Sequence, residues 1–242
     1  MKVLPFTVSI VFAGLVSVAG AGGVMAQEDY DDYAAESVEP DPWEPVNRAI
    51  FSFNDTVDRF TLKPVAKVYD RVVPEPVSNS ISNVFSNLGE PRNLVNDTLQ
   101  GKFHAAGIDT ARFLLNSTVG VLGVFDVATK MGLQRNDEDF GQTLGAWGVP
   151  SGPYIVLPLL GPSTVRDGGS RIPESFARYT YVEQVDHVPT RNTAIGTALV
   201  DTRASLLSRE KLIRGDRYRF VRNAFLQNRE FQVKDGEVED PF

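Results

Sequence analysis

The chain predicts a mostly α-helical fold interrupted by one Gly/Pro-rich irregular segment, and three observations carry that expectation. Apolar residues recur every three or four positions over most of the sequence, the period of an amphipathic helix. Strand-like runs occur only at residues 154–160 and 180–188. Residues 140–170, FGQTLGAWGVPSGPYIVLPLLGPSTVRDGGS, hold seven glycines and four prolines. That density forbids a regular helix, because Pro removes a donor and Gly adds backbone entropy. Yet the segment is apolar, so its irregular backbone must be packed into protein or set against something other than water.

The amino terminus reads as a secretory signal over residues 1–26. Lys2 supplies a positive end, residues 8–21 are apolar or small, and Val24-Met25-Ala26 suits cleavage between Ala26 and Gln27. Residues 27–42, QEDYDDYAAESVEPDP, form an acidic leader without apolar periodicity. Residues 43–233 read as one helical domain, and 234–242 as a loose acidic tail.

Within the domain, Val46, Ile50, Phe53, Val57 and Phe60 make one helical stripe. Asp41 is placed to cap it, and Lys63-Pro64 to end or kink it. A second helix is expected over residues 76–88, with Val77, Ile81, Val84, Phe85 and Leu88 on one side. Asn79, Asn83 and Asn87 line the other, which reads as a wet face. A third helix is expected over 90–100, stopped by Gly101, and a fourth over 103–119. Residues 121–127 are apolar on most faces, as in a core helix or one against lipid. Pro162-Ser163 reads as a helix entry. Residues 190–209 and 217–231 complete the helices, the last carrying Arg217, Arg219, Arg222 and Arg229 as solvated or headgroup-facing side chains.

Composition narrows the function. The 242 residues carry a formal charge of −7, which disfavours nucleic acid. There is no cysteine, so disulfides, thiolate metal sites, cysteine nucleophiles and an N-terminal lipidated cysteine are excluded. No run of 18 apolar residues follows the leader, so no bilayer-crossing helix is expected. No G-x-S-x-G occurs, since Gly161-Pro162-Ser163 continues into Thr164-Val165. His104 and His187 are isolated, which leaves no expected cofactor or metal centre. Asp137-Glu138-Asp139 reads as an acidic turn before it reads as a cation site. The N-x-[ST] matches at Asn54, Asn96 and Asn116 read as chance. The residues supply no signature of an enzyme.

Several motifs nevertheless agree in order and spacing: DPWEPVNRAIFSFN (41–54), KPVA (63–66), VPEPVSNSISNVFSNLGEP (73–91), VNDTLQGK (95–102), RFLLNSTVGVLGVFDVA (112–128) and FGQTLGAWGVPSGPYIVLPLLGPSTVRD (140–167). A looser match is FVRNAFLQNREF (220–231). With them the chain resembles the MlaA (VacJ) family of outer-membrane phospholipid-transport proteins. The resemblance implies a ring-like assembly of amphipathic helices in the inner leaflet of the outer membrane, with an amphipathic channel. It implies removal of mislocalised phospholipid from the outer leaflet and delivery to a soluble periplasmic lipid carrier, beside a trimeric porin. On that basis Phe140, Gly141, Leu144, Gly145, Trp147, Gly148, Gly152 and Tyr154 are the expected lipid-channel residues. Family members are acylated on a cysteine that this chain lacks, so outer-membrane association without lipidation is expected. The competing readings are a scaffold binding porin or cell wall, and a lipid hydrolase depending on Ser163 or His187.

Overall fold

The computed structural model describes residues 41–177, 187–213 and 215–236. Its first helix, α1 (Glu44–Val57), begins one turn after Asp41, which accepts from the Trp43 amide at 2.9 Å. Asp41 therefore braces the entry without being the cap residue. Pro64 does not end the helix. Residues Asp58–Leu62 widen into a single π turn, with Lys63 N–H bonded to the Asp58 carbonyl, and α2 (Lys63–Val72) follows directly. A π turn ahead of a proline makes room for its ring and missing donor.

Two expected helices prove to be one. Helix α3 (Glu75–Leu99) runs through Gly89 and Pro91 without a break. Its neighbours hold what the proline loosens: α4 (Phe103–Thr118) packs along it, and the two share a buried polar seam described below. Residues 119–126 are a turn rather than a helix, with Val121 and Leu122 at φ 54° and 56°. Two non-glycine residues in the left-handed region cost roughly 1–2 kcal/mol each. Successive backbone bonds hold the turn, including Leu122 N–H to the Ser117 carbonyl at 3.0 Å, Gly123 N–H to the Asn116 carbonyl at 2.8 Å and Phe125 N–H to the Gly120 carbonyl at 2.9 Å.

The short α5 (Val127–Lys130) is capped by Asp126, and α6 (Phe140–Ala146) by Asp139. The Gly/Pro-rich segment therefore does contain helix, in a seven-residue piece ahead of its first proline and again from Val165, past its last. An antiparallel hairpin follows, β1 (Tyr154–Leu157) on β2 (Gly161–Thr164), in register Tyr154↔Thr164 and Val156↔Pro162. Pro162-Ser163 lies in β2, and helix entry comes only at α7 (Val165–Ala177). Of the strand expected at 180–188, residues 180–186 lie outside the described residues and Val188 opens α8 (Val188–Ser205). A 3-10 turn (Arg209–Leu212) leads to α9 (Arg217–Val233), capped by Asp216.

These elements touch in a closed circuit. Helix α2 packs on α8, α8 on α3, α3 on α6, α6 on α9, α9 on β2, β1 on α1, and α1 leads back to α2. Ion pairs close the circuit between its ends. Arg203 makes a forked pair with Asp58 at 2.7 and 2.8 Å, Glu210 accepts from Lys63 at 2.7 Å, and Arg217 reaches Asp55 at 2.8 Å. No described helix is long and apolar enough to cross a membrane.

Candidate functional site

Burial is inverted relative to an ordinary water-soluble domain. Among the described residues, twenty polar or charged side chains are buried against seven apolar ones, four of the seven being Ala66, Ala106, Ala128 and Ala204. Large apolar side chains point outward: Phe60 is 75% exposed, Leu122 74% and Phe103 72%. Much of the expected first-helix stripe, Val46, Phe53 and Phe60, is outward too. Buried polar groups and exposed apolar patches are the informative departures from globular burial.

The inward polar face runs along α3 and α4. The reading of the asparagine stripe as wet holds at its start and fails at its end: Asn79 is exposed and Asn83 half-buried, but Asn87 is 3% exposed and donates to Ser117 Oγ at 2.9 Å. The stripe continues through Glu90, Asn93, Asn96 and Asp97, all buried. Helix α4 answers with Asp109, Arg112 and Asn116 at spacings of three and four. Arg112 donates to Glu90 at 2.7 Å, to the Leu133 carbonyl at 2.6 Å and to Thr129 at 3.0 Å. Asn116 accepts the Val127 and Ala128 amides. Asn54, Asn96 and Asn116 are all committed to internal hydrogen bonds, in keeping with chance N-x-[ST] matches.

Asp109 is the least satisfied side chain of this seam. Neither carboxyl oxygen accepts from a described group. Burial pushes its carboxyl up to about 8, and the adjoining Asp97 carboxyl adds to that push. Burial beside another acid favours the neutral form of Asp109.

The acidic turn is where α3, α4, α6 and α9 are joined. Its three carboxylates face three different cations: Asp137 pairs with Arg92 at 2.5 Å, Glu138 with Lys102 at 3.3 Å, and Asp139 with Arg229 at 2.6 Å. Among the described residues no group of His, Asp and Glu is arranged to hold a metal ion. Arg229 also pairs with Asp167 of α7 through Nε at 2.9 Å and Nη2 at 3.0 Å. Burial raises the Asp139 carboxyl, but the charge and hydrogen bonds of Arg229 outweigh it and hold it at about 2. Arg222 and Arg229 are thus buried rather than solvated, while Arg219 remains exposed.

The eight residues read from the sequence divide by position. A Cβ on Gly141 would stand 2.6 Å from Asp167 Oδ1 and collide with Arg229, and one on Gly145 would stand 2.8 Å from Arg166 Nη1 and from Val233. Both glycines let α6 approach charged neighbours. Phe140 and Leu144 are half-buried, Phe140 giving its amide to Glu174 at 2.6 Å and its ring edge to Trp147 at 6.1 Å between centroids. Trp147 is 54% exposed and donates to the Leu99 carbonyl at 3.0 Å. Gly148 and Gly152 are exposed. Gly152 needs its glycine, with φ at 66° and Val165 Cβ 3.2 Å from where a side chain would begin.

Tyr154 lies elsewhere, in the small apolar core with Val156 and Tyr218, against Ile50, Phe51 and Phe225. That core seats the hairpin on α1. Asn47 accepts the Val156 amide at 2.9 Å and donates to the Tyr154 carbonyl at 3.0 Å; Asn54 repeats the pattern with Leu159 N–H and the Leu157 carbonyl. Two amides seven positions apart thereby satisfy the open edge of β1.

Ser163 and His187 are not brought to one centre. Ser163 is fully buried with its hydroxyl on the Thr164 carbonyl, and His187 precedes α8, bonded to Thr190 at 2.7 Å.

Comparison with known proteins agrees with this architecture. The family model described as MlaA lipoprotein matches residues 39–232. The chain is 34% identical over 203 residues to a Haemophilus influenzae protein named intermembrane phospholipid transport system lipoprotein MlaA, covering 82% of this chain and 81% of that one. It is 36% identical over 207 residues to the Escherichia coli protein of the same name, covering 82% and 80%. A solved structure concerned with the structural basis for maintenance of bacterial outer membrane lipid asymmetry is 36% identical. It superposes with a TM-score of 0.68, over 81% of this chain and all of that one. A closed circuit of helices with polar side chains inward, matched along residues 39–232, places the chain in the MlaA lipoprotein family.

Proposed function

We propose that the chain is a non-enzymatic phospholipid conduit of the outer membrane. It withdraws mislocalised phospholipid from the outer leaflet and passes it to a soluble periplasmic carrier, which maintains lipid asymmetry. The observation that carries this reading is the inverted burial, joined to relatives named for intermembrane phospholipid transport. A shell bearing Phe60, Phe103, Leu122 and Phe125 loses free energy in water, roughly 25 cal/mol for each Å2 left exposed, and recovers it against acyl chains. A helix set with no spanning member among the described residues suits residence in one leaflet. With no cysteine to acylate, export through cleavage after Ala26 leaves this apolar shell, together with a trimeric porin neighbour, to hold the protein at the periplasmic face.

Lipid passage in this reading runs past the segment carrying Phe140, Leu144, Trp147, Gly148 and Gly152, with Gly141, Gly145 and Tyr154 setting its supports. A conduit has no direction of its own, so direction comes from the carrier's differential affinity. The test compares outer-leaflet phospholipid in a strain lacking the gene with strains carrying the intact gene or a Gly145→Trp variant matched for membrane abundance. The expected result is a rise on deletion, reversed by the intact gene and not by the variant. Full reversal by the variant would move the passage away from α6. No rise on deletion, in a strain without a parallel system, would replace the conduit with a scaffold.

A further inference from the structure

A cavity of about 300 Å3 opens between α9 and the loop entering α7, lined by Ser151, Arg166, Leu226, Arg229, Glu230 and Lys234 among others. We infer that this cavity seats the zwitterionic headgroup of a phosphoethanolamine lipid, its phosphate on Arg166 and its ammonium on Glu230; the inference rests on the conduit reading above.

The cavity's charge is paired in space rather than of one sign. Arg166 is 6% exposed, with Nε on Asp167 at 3.0 Å and Nη1 on the Val149 carbonyl at 3.2 Å. Among the described residues its Nη2 has no hydrogen bond, which leaves donors for a phosphate oxygen on the cavity wall. Arg229 faces the same space, but Asp139 and Asp167 already neutralise it. At the mouth, Glu230 is 66% exposed and pairs with Lys234 at 2.9 Å. An ammonium that replaces the surface contact of Lys234 satisfies Glu230, so a zwitterion meets both Arg166 and Glu230, whereas a lone anion meets only the arginine. The volume falls at the low end of small-molecule sites, roughly 300–1,000 Å3, so it suits a headgroup and leaves the acyl chains outside. Val149, whose carbonyl Arg166 holds, and Val165, the arginine's chain neighbour, are exposed apolar residues for those chains to lie on. Gly145 backs this wall, because a side chain there would displace two lining residues, Arg166 and Val233.

The experiment uses the purified full chain in detergent, equilibrated with equimolar phosphatidylethanolamine and phosphatidylglycerol, and reads retained lipid by mass spectrometry. The expected result is enrichment of phosphatidylethanolamine in the parent. Glu230→Gln reverses that ratio, and Arg166→Gln lowers retention of both lipids by about tenfold. Because Glu230 is on the surface, its variant tests selectivity even where Arg166→Gln fails to fold. Soluble glycerophosphoethanolamine displaces the lipid and inorganic phosphate at the same concentration does not. Equal displacement by phosphate would make this a plain anion site, and a ratio unmoved by Glu230→Gln would overturn the headgroup assignment. Either result with asymmetry still maintained in cells fails this inference alone; loss of asymmetry control altogether fails the conduit.

Discussion

The hairpin corner and the α3–α4 seam are two interiors built on opposite principles. At the hairpin, Tyr154 meets Tyr218 edge-on and Phe225 at a tilt, with centroids 6.2 and 6.1 Å apart, and Phe51 closes on Tyr218 at 5.6 Å. Aromatic area leaves water there, as in any soluble domain. In the seam, Glu90, Asn93, Asp97, Asp109 and Arg112 occupy the core positions, while Phe103, Leu114 and Leu99 of the same helices face out. The difference teaches that the surrounding medium decides which face of an amphipathic helix is the inside. Against acyl chains an outward Leu loses nothing, and an inward hydrogen bond has no water to compete with, so polar contacts worth about 0.6–2 kcal/mol each can hold helices together.

Breaking the seam should have the largest effect. Arg112→Met leaves Glu90 buried without its cation and is expected to cost about 3–5 kcal/mol. Adding Glu90→Leu should recover much of that, which denaturation of the two variants in detergent would show. At the other interior, Asn47→Ala strands the Val156 amide and Tyr154 carbonyl and is expected to cost roughly 1–3 kcal/mol by the same measurement.

Next in size is a shift in membrane partition. Leu122→Ser is expected to weaken vesicle binding by about tenfold while leaving the denaturation midpoint near the parent's, because the side chain touches the outside only. A midpoint drop without a partition change would reverse the assignment of that turn.

The last effect is one of pH, and it runs in opposite directions at two buried carboxyls. With its carboxyl raised from 3.8 to about 8, Asp109 keeps its proton in the folded chain over a window where the unfolded chain has released it. Stability therefore falls as pH rises from about 4 to about 8 and levels off beyond. Asp109→Asn, which cannot ionise, should flatten that slope. Asp139, held at about 2, acts oppositely: its contribution is present above 3.8 and is lost as pH falls towards 2. Melting curves from pH 2 to pH 9 would display both.

Helix existence was legible in the sequence because a 3.6-residue period survives whichever face is inside. The family motifs were legible because they keep their order and spacing over most of the chain. Orientation was misread where the assumption of water outside entered. The asparagines of α3 were taken as the wet face, although Asn83, Asn87, Glu90 and Asp97 repeat at helical spacing and Asp109, Arg112 and Asn116 repeat likewise on the next helix. That pair of facing polar stripes was the available signal. The roles of Gly141 and Gly145 were out of reach, because they depend on Arg229, Arg166 and Val233, which only the closed circuit brings to α6. The single helix across Pro91 was hidden as well, since a proline's local cost reads as a boundary until the packing that offsets it is known.

The central claim is that the exposed apolar shell meets lipid, and it is tested most directly by depth. Phe125→Trp, in a chain whose two tryptophans are replaced by Phe, places one fluorophore on the outward turn. The protein is reconstituted into vesicles whose lipids carry bromine at defined acyl positions. Strong quenching by acyl-chain bromine, with little quenching by aqueous iodide, is the predicted result. Ready quenching by iodide and none by bromolipid would contradict it.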